Sequence, residues 1–169
     1  SCARSPPRSR TCGTRGIRLL HFGTDCVFSG RSADSRGALG YREDDPARPA
    51  DLYGRSKLLG EPEGPHVLVL RTSFIGREAG RRQGLVEWFL SQGEASVRGF
   101  TRAFFSGLTM TVLAGLCGDL LERHRDMSGT WHVASTPIAK HDLLLLLRAT
   151  FGCATPVLPE PLPECDRRL

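Results

Sequence analysis

The chain reads as an α/β protein built on a parallel sheet. Short apolar runs that end in polar turns alternate with segments of helical periodicity, and 169 residues with 40% hydrophobic content are enough for one core. Residues 17–23 form the first expected strand, an apolar run passing into Gly23-Thr24-Asp25. A long polar loop follows over 29–50, with the glycines, prolines and acids of a surface excursion. Asp51 is placed to cap a helix that Pro62 and Gly64 end. Residues 66–72 form a buried strand whose Arg71-Thr72-Ser73-Phe74 end faces the same way as Thr24. Helices are expected over 83–92, with Leu85, Val86, Phe89 and Leu90 inward, over 109–123 and over 140–151. A strand is expected over 130–134, and the proline-rich 156–163 is extended. Strand–helix alternation implies right-handed crossovers, which place ligand groups outside the carboxyl ends of the strands.

The most informative spacing is Tyr53-Gly54-Arg55-Ser56-Lys57. The chain holds two tyrosines, and Lys57 and Lys140 are its two lysines against a strongly arginine-rich background. By composition a Tyr-x-x-x-Lys match has a chance expectation on the order of one in fifty. Residues four apart share a helix face, so phenol and ammonium enter one cavity. A fixed cation near a phenol favours the phenolate and suits it to exchanging a proton with an alcohol or carbonyl oxygen. A solvated helix face carrying both residues is the alternative. Thr24 stands where its hydroxyl meets a substrate carbonyl, or where it merely caps the strand end.

Around these residues, "GTDCVFSG", "YREDDPARPADLYGRSKLLGE" and "VLRTSFIGRE" resemble the extended short-chain dehydrogenase/reductases, in their dTDP-4-dehydrorhamnose reductase-like, sugar-nucleotide-binding branch. "VRGFTRAFFSGLT", "SGTWHVASTPIAKHDLLLLL" and the terminal Cys165-Asp166-Arg167-Arg168-Leu169 extend the resemblance over nearly the whole chain from Ile17. It implies the C-terminal part of a Rossmann-type parallel sheet with an intermixed small substrate-binding region. Residues 17–75 would be the second half of the Rossmann-type domain. Residues 76–169 would be the substrate-binding region, with a helix and strand at about 109–150 returning to complete the sheet. It also implies an NADP- or NAD-dependent reductase of a keto group on a nucleotide-linked sugar. An epimerase or dehydratase of the same superfamily, or an inactive non-enzymatic relative, are the alternatives. By resemblance Thr24, Tyr53 and Lys57 are catalytic, and Tyr53, Lys57, Ser73 and Phe74 hold the cofactor. Asp25 is placed to bind a sugar hydroxyl of the substrate or merely to form the turn, and Arg98 and Arg102, flanking a "GF" turn, to meet a nucleotide diphosphate or to stay solvated.

The family's glycine-rich phosphate cradle has no counterpart here, because neither G-x-x-G-x-x-G nor G-x-G-x-x-G occurs. The expectation is therefore an internal fragment, inactive and cofactor-free as it stands, with a possible homodimer when full length. Residues 1–16 carry Arg4, Arg8, Arg10 and Arg15, two cysteines and no acid, and read as a disordered or non-native leader. That leader contributes most of the net charge of +5, so the charge says little of partners. No basic stripe with interleaved aromatics supports nucleic-acid binding. The six cysteines form no C-x-x-C and the five histidines no H-E-x-x-H, which argues against a metal site. No apolar run approaches the ~20 residues of a membrane span. Free thiols and a cytoplasmic setting are the default. Glu43 and Glu61 are expected to cap or brace the loop, and Trp131 and His132 to pack.

Overall fold

The computed structural model describes residues 7–31, 40–78, 80 and 83–169. Its first element, α1 (Pro7–Thr14), lies inside the stretch whose composition suggested no structure. That expectation is corrected for these residues, and tertiary contact supplies the reason. Ser9 is buried, the ring of His66 donates from Nε2 to the Ser9 carbonyl at 2.9 Å, and a Cβ on Gly13 would lie 2.7 Å from that ring. A helix of poor intrinsic composition survives when its neighbours hold it.

In chain order β1 (Leu19–Phe22) precedes a 3-10 turn (Asp25–Val27), and α2 (Leu52–Leu59) follows the long loop. Of that loop, residues 32–39 lie outside the described residues, and 29–31 and 40–50 hold no helix or strand. Asp51 caps α2 as expected, its Oδ1 accepting from the Gly54 amide at 2.7 Å. Next come β2 (Val67–Thr72), β3 (Phe74–Ile75), α3 (Leu85–Leu90), β4 (Val97–Phe100), β5 (Ala103–Phe105) and β6 (Leu108–Thr109). The chain closes with α4 (Met110–Arg123), β7 (Gly129–Val133), β8 (Ile138–Ala139), α5 (Lys140–Phe151), β9 (Val157–Glu160) and β10 (Cys165–Asp166). Gly152, at φ 64°, ends α5 in the left-handed conformation that glycine adopts without steric cost.

The main sheet runs β1-β2-β7, with both pairings parallel. β2 is its centre and all six of its residues are buried, which is why Val-Leu-Val-Leu reads as a continuous apolar run. α4 covers this sheet through Leu116 and Leu120, packed with Leu20, Leu68 and Leu70. β7 joins this sheet beside β2. α5 packs elsewhere: its Leu144 and Leu147 meet Val86 and Phe89 of α3 and Val97 of β4, forming a second core.

Short strands that periodicity could not mark surround this second core. β4 pairs parallel with β9, and β5 sits between β10 and β8. The supposed "GF" turn is corrected accordingly, since Gly99 and Phe100 are inside β4. Gly99 is needed there for space: a Cβ would come within 2.9 Å of the His141 backbone. Trp131 is not the packing residue expected, being 46% exposed, whereas His132 does pack, edge-on to Phe28 at 5.5 Å.

Candidate active site

A crevice of about 600 Å3 opens at the carboxyl ends of β1 and β2. Thr24, Asp25, Tyr53, Lys57, Ser73 and Phe74 all line it, so six of the eight residues singled out from the sequence meet in one cavity. Arg98 and Arg102 do not. Arg98 is exposed on β4, and Arg102 is engaged by Glu164 at 2.9 Å. Phe105, Met110 and Leu113 complete the wall from the later part of the chain. Nothing in their local pattern distinguished them from core residues.

Each polar group is set by its element. Lys57 reaches back from α2 so that Nζ donates to the Phe22 carbonyl at 3.0 Å, fixing the ammonium at the end of β1. Tyr53, one turn earlier, is 57% exposed, and its hydroxyl bonds no other described group. Thr24 is buried and does cap: Oγ1 accepts from the Cys26 amide at 3.2 Å and donates to Asp25 Oδ1 at 3.1 Å. To donate to a ligand, the hydroxyl must turn away from Asp25. Gly54 lets α2 approach the 3-10 turn, because any Cβ there would clash with the Cys26 carbonyl. Burial pushes the Cys26 thiol up, with Asp25 adding to it, so this sulfur is a neutral wall group and no nucleophile.

Behind Gly23 and Thr72 of this wall lies an ion pair. Arg71 donates from Nε and Nη2 to the two Glu61 oxygens at 2.9 and 2.8 Å, with both side chains about nine-tenths buried. A Cβ on Gly23 would lie 2.9 Å from Glu61 Oε1, so the pair rests directly against the backbone that leads into Thr24. Glu61 therefore braces the sheet end and not the loop. The Arg71 guanidinium also stands 5.6 Å above Phe28, which stacks on Tyr41 at 4.2 Å. Glu43 accepts from the His132 amide at 2.8 Å.

His132 donates from Nδ1 to the Tyr41 carbonyl at 3.2 Å, while its Nε2 is buried without a partner. His21 Nε2 is likewise buried and unpartnered. Burial lowers both pKa values below the usual 6.5, with Lys57 adding to the effect at His21. The unfolded chain then takes up protons near 6.5 that the folded chain refuses, so stability is present above that pH and is lost as pH falls through it. Urea midpoints are expected to drop between about pH 7.5 and 5.5, and His132→Asn, which keeps a donor for Tyr41, to flatten part of that slope. An identical slope in the variant would exclude His132 as a source.

Among the described residues no group of three or more His, Cys, Asp or Glu is placed to hold a metal, and the five described cysteines are free thiols. Among the described residues no helix is long and apolar enough to cross a membrane.

Residues 8–159 match the family model described as RmlD substrate binding domain. The probable low-salt glycan biosynthesis reductase of Haloferax volcanii is 36% identical over 136 residues, covering 73% of this chain and 42% of that protein. The chain thus spans less than half the length of this curated relative. A hypothetical dTDP-4-dehydrorhamnose reductase from Sulfolobus tokodaii superposes with a TM-score of 0.75 at 27% identity, over 92% of this chain and 54% of that one. The fold is shared as well by the Bacillus anthracis dTDP-4-dehydrorhamnose reductase solved in complex with NADP, with a TM-score of 0.72 at 22% identity over 87% and 52% of the two chains.

Proposed function

We propose, from the premise that this chain belongs to the RmlD substrate binding domain family of extended short-chain dehydrogenase/reductases, that it carries the acid/base side of a reductase acting on a keto group of a nucleotide-linked sugar. The observation that carries this reading is the meeting of Thr24, Tyr53 and Lys57 in one crevice at the sheet's carboxyl end. The relatives named as reductases, and the neighbour solved with NADP, support it.

The crevice fits the nicotinamide end of a cofactor: Phe74, Met110 and Leu113 give an apolar wall beside Ser73 and the Lys57 ammonium. When bound, NADP or NAD in its reduced form supplies the hydride. The chain's residues do the rest. Thr24 orients the sugar carbonyl through its hydroxyl, with Asp25 receiving a sugar hydroxyl. Tyr53 gives its phenolic proton to the carbonyl oxygen as negative charge develops there. Lys57, held by the Phe22 carbonyl, keeps a positive charge beside the phenol and stabilises its deprotonated form. Phe74 and Met110 give that exchange an apolar wall.

The test is consumption of NADPH or NADH by the protein carrying this chain, supplied with 4-keto nucleotide sugars. Failure with every keto sugar would sink the reading. Lys57→Arg is expected to lower kcat/KM at least about tenfold, or ~1.4 kcal/mol of barrier. A planar guanidinium cannot both hold the Phe22 carbonyl and place a compact charge beside the phenol. Near-normal kinetics would remove Lys57 from the mechanism.

A further inference from the structure

A second concavity of about 370 Å3 is lined by Ser29, Arg31, Arg48, Pro49, Ala50 and Arg55. It shares no lining residue with the crevice, and α2 separates the two. Successive helical residues turn by about 100°, so Tyr53 and Lys57 lie on one face and Arg55 on the opposite one.

Of the six described lining residues three are arginines and none is acidic. All three are exposed, and none of their guanidinium groups forms an ion pair or a hydrogen bond with another described residue, while the Arg31 amide donates to Ser29 Oγ at 3.1 Å. Elsewhere in the fold guanidinium groups find carboxylates: Arg71 finds Glu61, Arg77 finds Glu87, Arg102 finds Glu164 and Arg168 finds Asp166. Among the described residues, the acids near this concavity in sequence are turned elsewhere. Glu43 accepts from the His132 amide, Asp44 pairs with Arg42, Asp45 accepts from the Arg42 amide, and Asp51 caps Gly54 and faces Arg167. Three like charges around one hollow repel one another, and an anion seated among them reverses that repulsion. Each guanidinium offers a planar fork of donors matched to phosphate oxygens. A volume near the low end of small-ligand sites, roughly 300–1,000 Å3, exceeds what one phosphate fills.

We propose that this hollow on the back of α2 binds a diphosphate, either free or as the end of a nucleoside diphosphate. The site is distinct from the crevice and stands whether or not the reductase reading does.

The test titrates the 169-residue chain by calorimetry at low salt with orthophosphate, pyrophosphate and UDP. Pyrophosphate is expected to bind about tenfold tighter than orthophosphate, and added salt to weaken it. Arg48→Gln with Arg55→Gln should weaken pyrophosphate at least about tenfold. The exposed pair Arg123→Gln with Arg148→Gln, which removes the same charge elsewhere, should change it less than about twofold. Far-UV circular dichroism checks that both double variants are folded, as exposed positions should be. UDP losing affinity in parallel identifies a nucleoside diphosphate as the source, and UDP absent from the site identifies free diphosphate. No pyrophosphate binding, or equal loss in the two double variants, overturns the proposal.

Discussion

Tyr53→Phe is expected to lower turnover about 10²–10⁴-fold while leaving the fold intact. The size follows from the role, since loss of a general acid raises the barrier by roughly 3–5 kcal/mol. The intact fold follows from the geometry. The Tyr53 ring is more than half exposed and its hydroxyl bonds no other described residue, so removing the oxygen leaves no buried group unsatisfied. The variant should therefore match the parent in urea midpoint and differ in kcat. Turnover within twofold of the parent would place the acid elsewhere. A collapsed midpoint would instead show that the hydroxyl holds a structural contact and would leave the loss of turnover uninformative about chemistry.

What the residues revealed in advance has a physical pattern. The crevice was legible because its polar groups sit at strand ends and at an i, i+4 helix spacing, where side-chain direction follows from backbone geometry alone. The Asp51 cap and the buried β2 were legible for the same local reason. β3, β5, β6, β8 and β10 were not, because two or three residues carry no measurable period and their pairing is set entirely by distant partners. Arg98 and Arg102 were misplaced for that reason: reading Gly99-Phe100 as a turn aimed the arginines at a ligand, whereas β9 pairs alongside and Glu164 engages one of them. α1 was missed because its support comes from His66, more than fifty residues away. Glu61 was read as a brace, but its partner lies ten residues on, across the sheet end, where no periodicity connects them.

That pair bears the largest expected effect on stability. Arg71→Met keeps an unbranched stem near the end of β2 but strips the Glu61 carboxylate of its bidentate partner in a site about nine-tenths buried. An uncompensated buried charge of this kind costs about 3–5 kcal/mol, a large share of the 5–15 kcal/mol that holds an ordinary domain together. The double variant Arg71→Met with Glu61→Leu should recover much of the loss, because replacing both charges by apolar groups removes the unpaired carboxylate. Urea denaturation of the parent, the single variant and the double variant gives the coupling directly. A single variant within about 1 kcal/mol of the parent would show that solvent reaches Glu61 and that the pair is ordinary surface electrostatics. The consequence for the crevice is separable from stability. Glu61 Oε1 lies against Gly23, one residue before Thr24, so a double variant that regains its stability without the rigid fork should still hold Thr24 less firmly. It is expected to show near-parental urea midpoints with reduced kcat, whereas full recovery of both would confine the pair to a purely structural role.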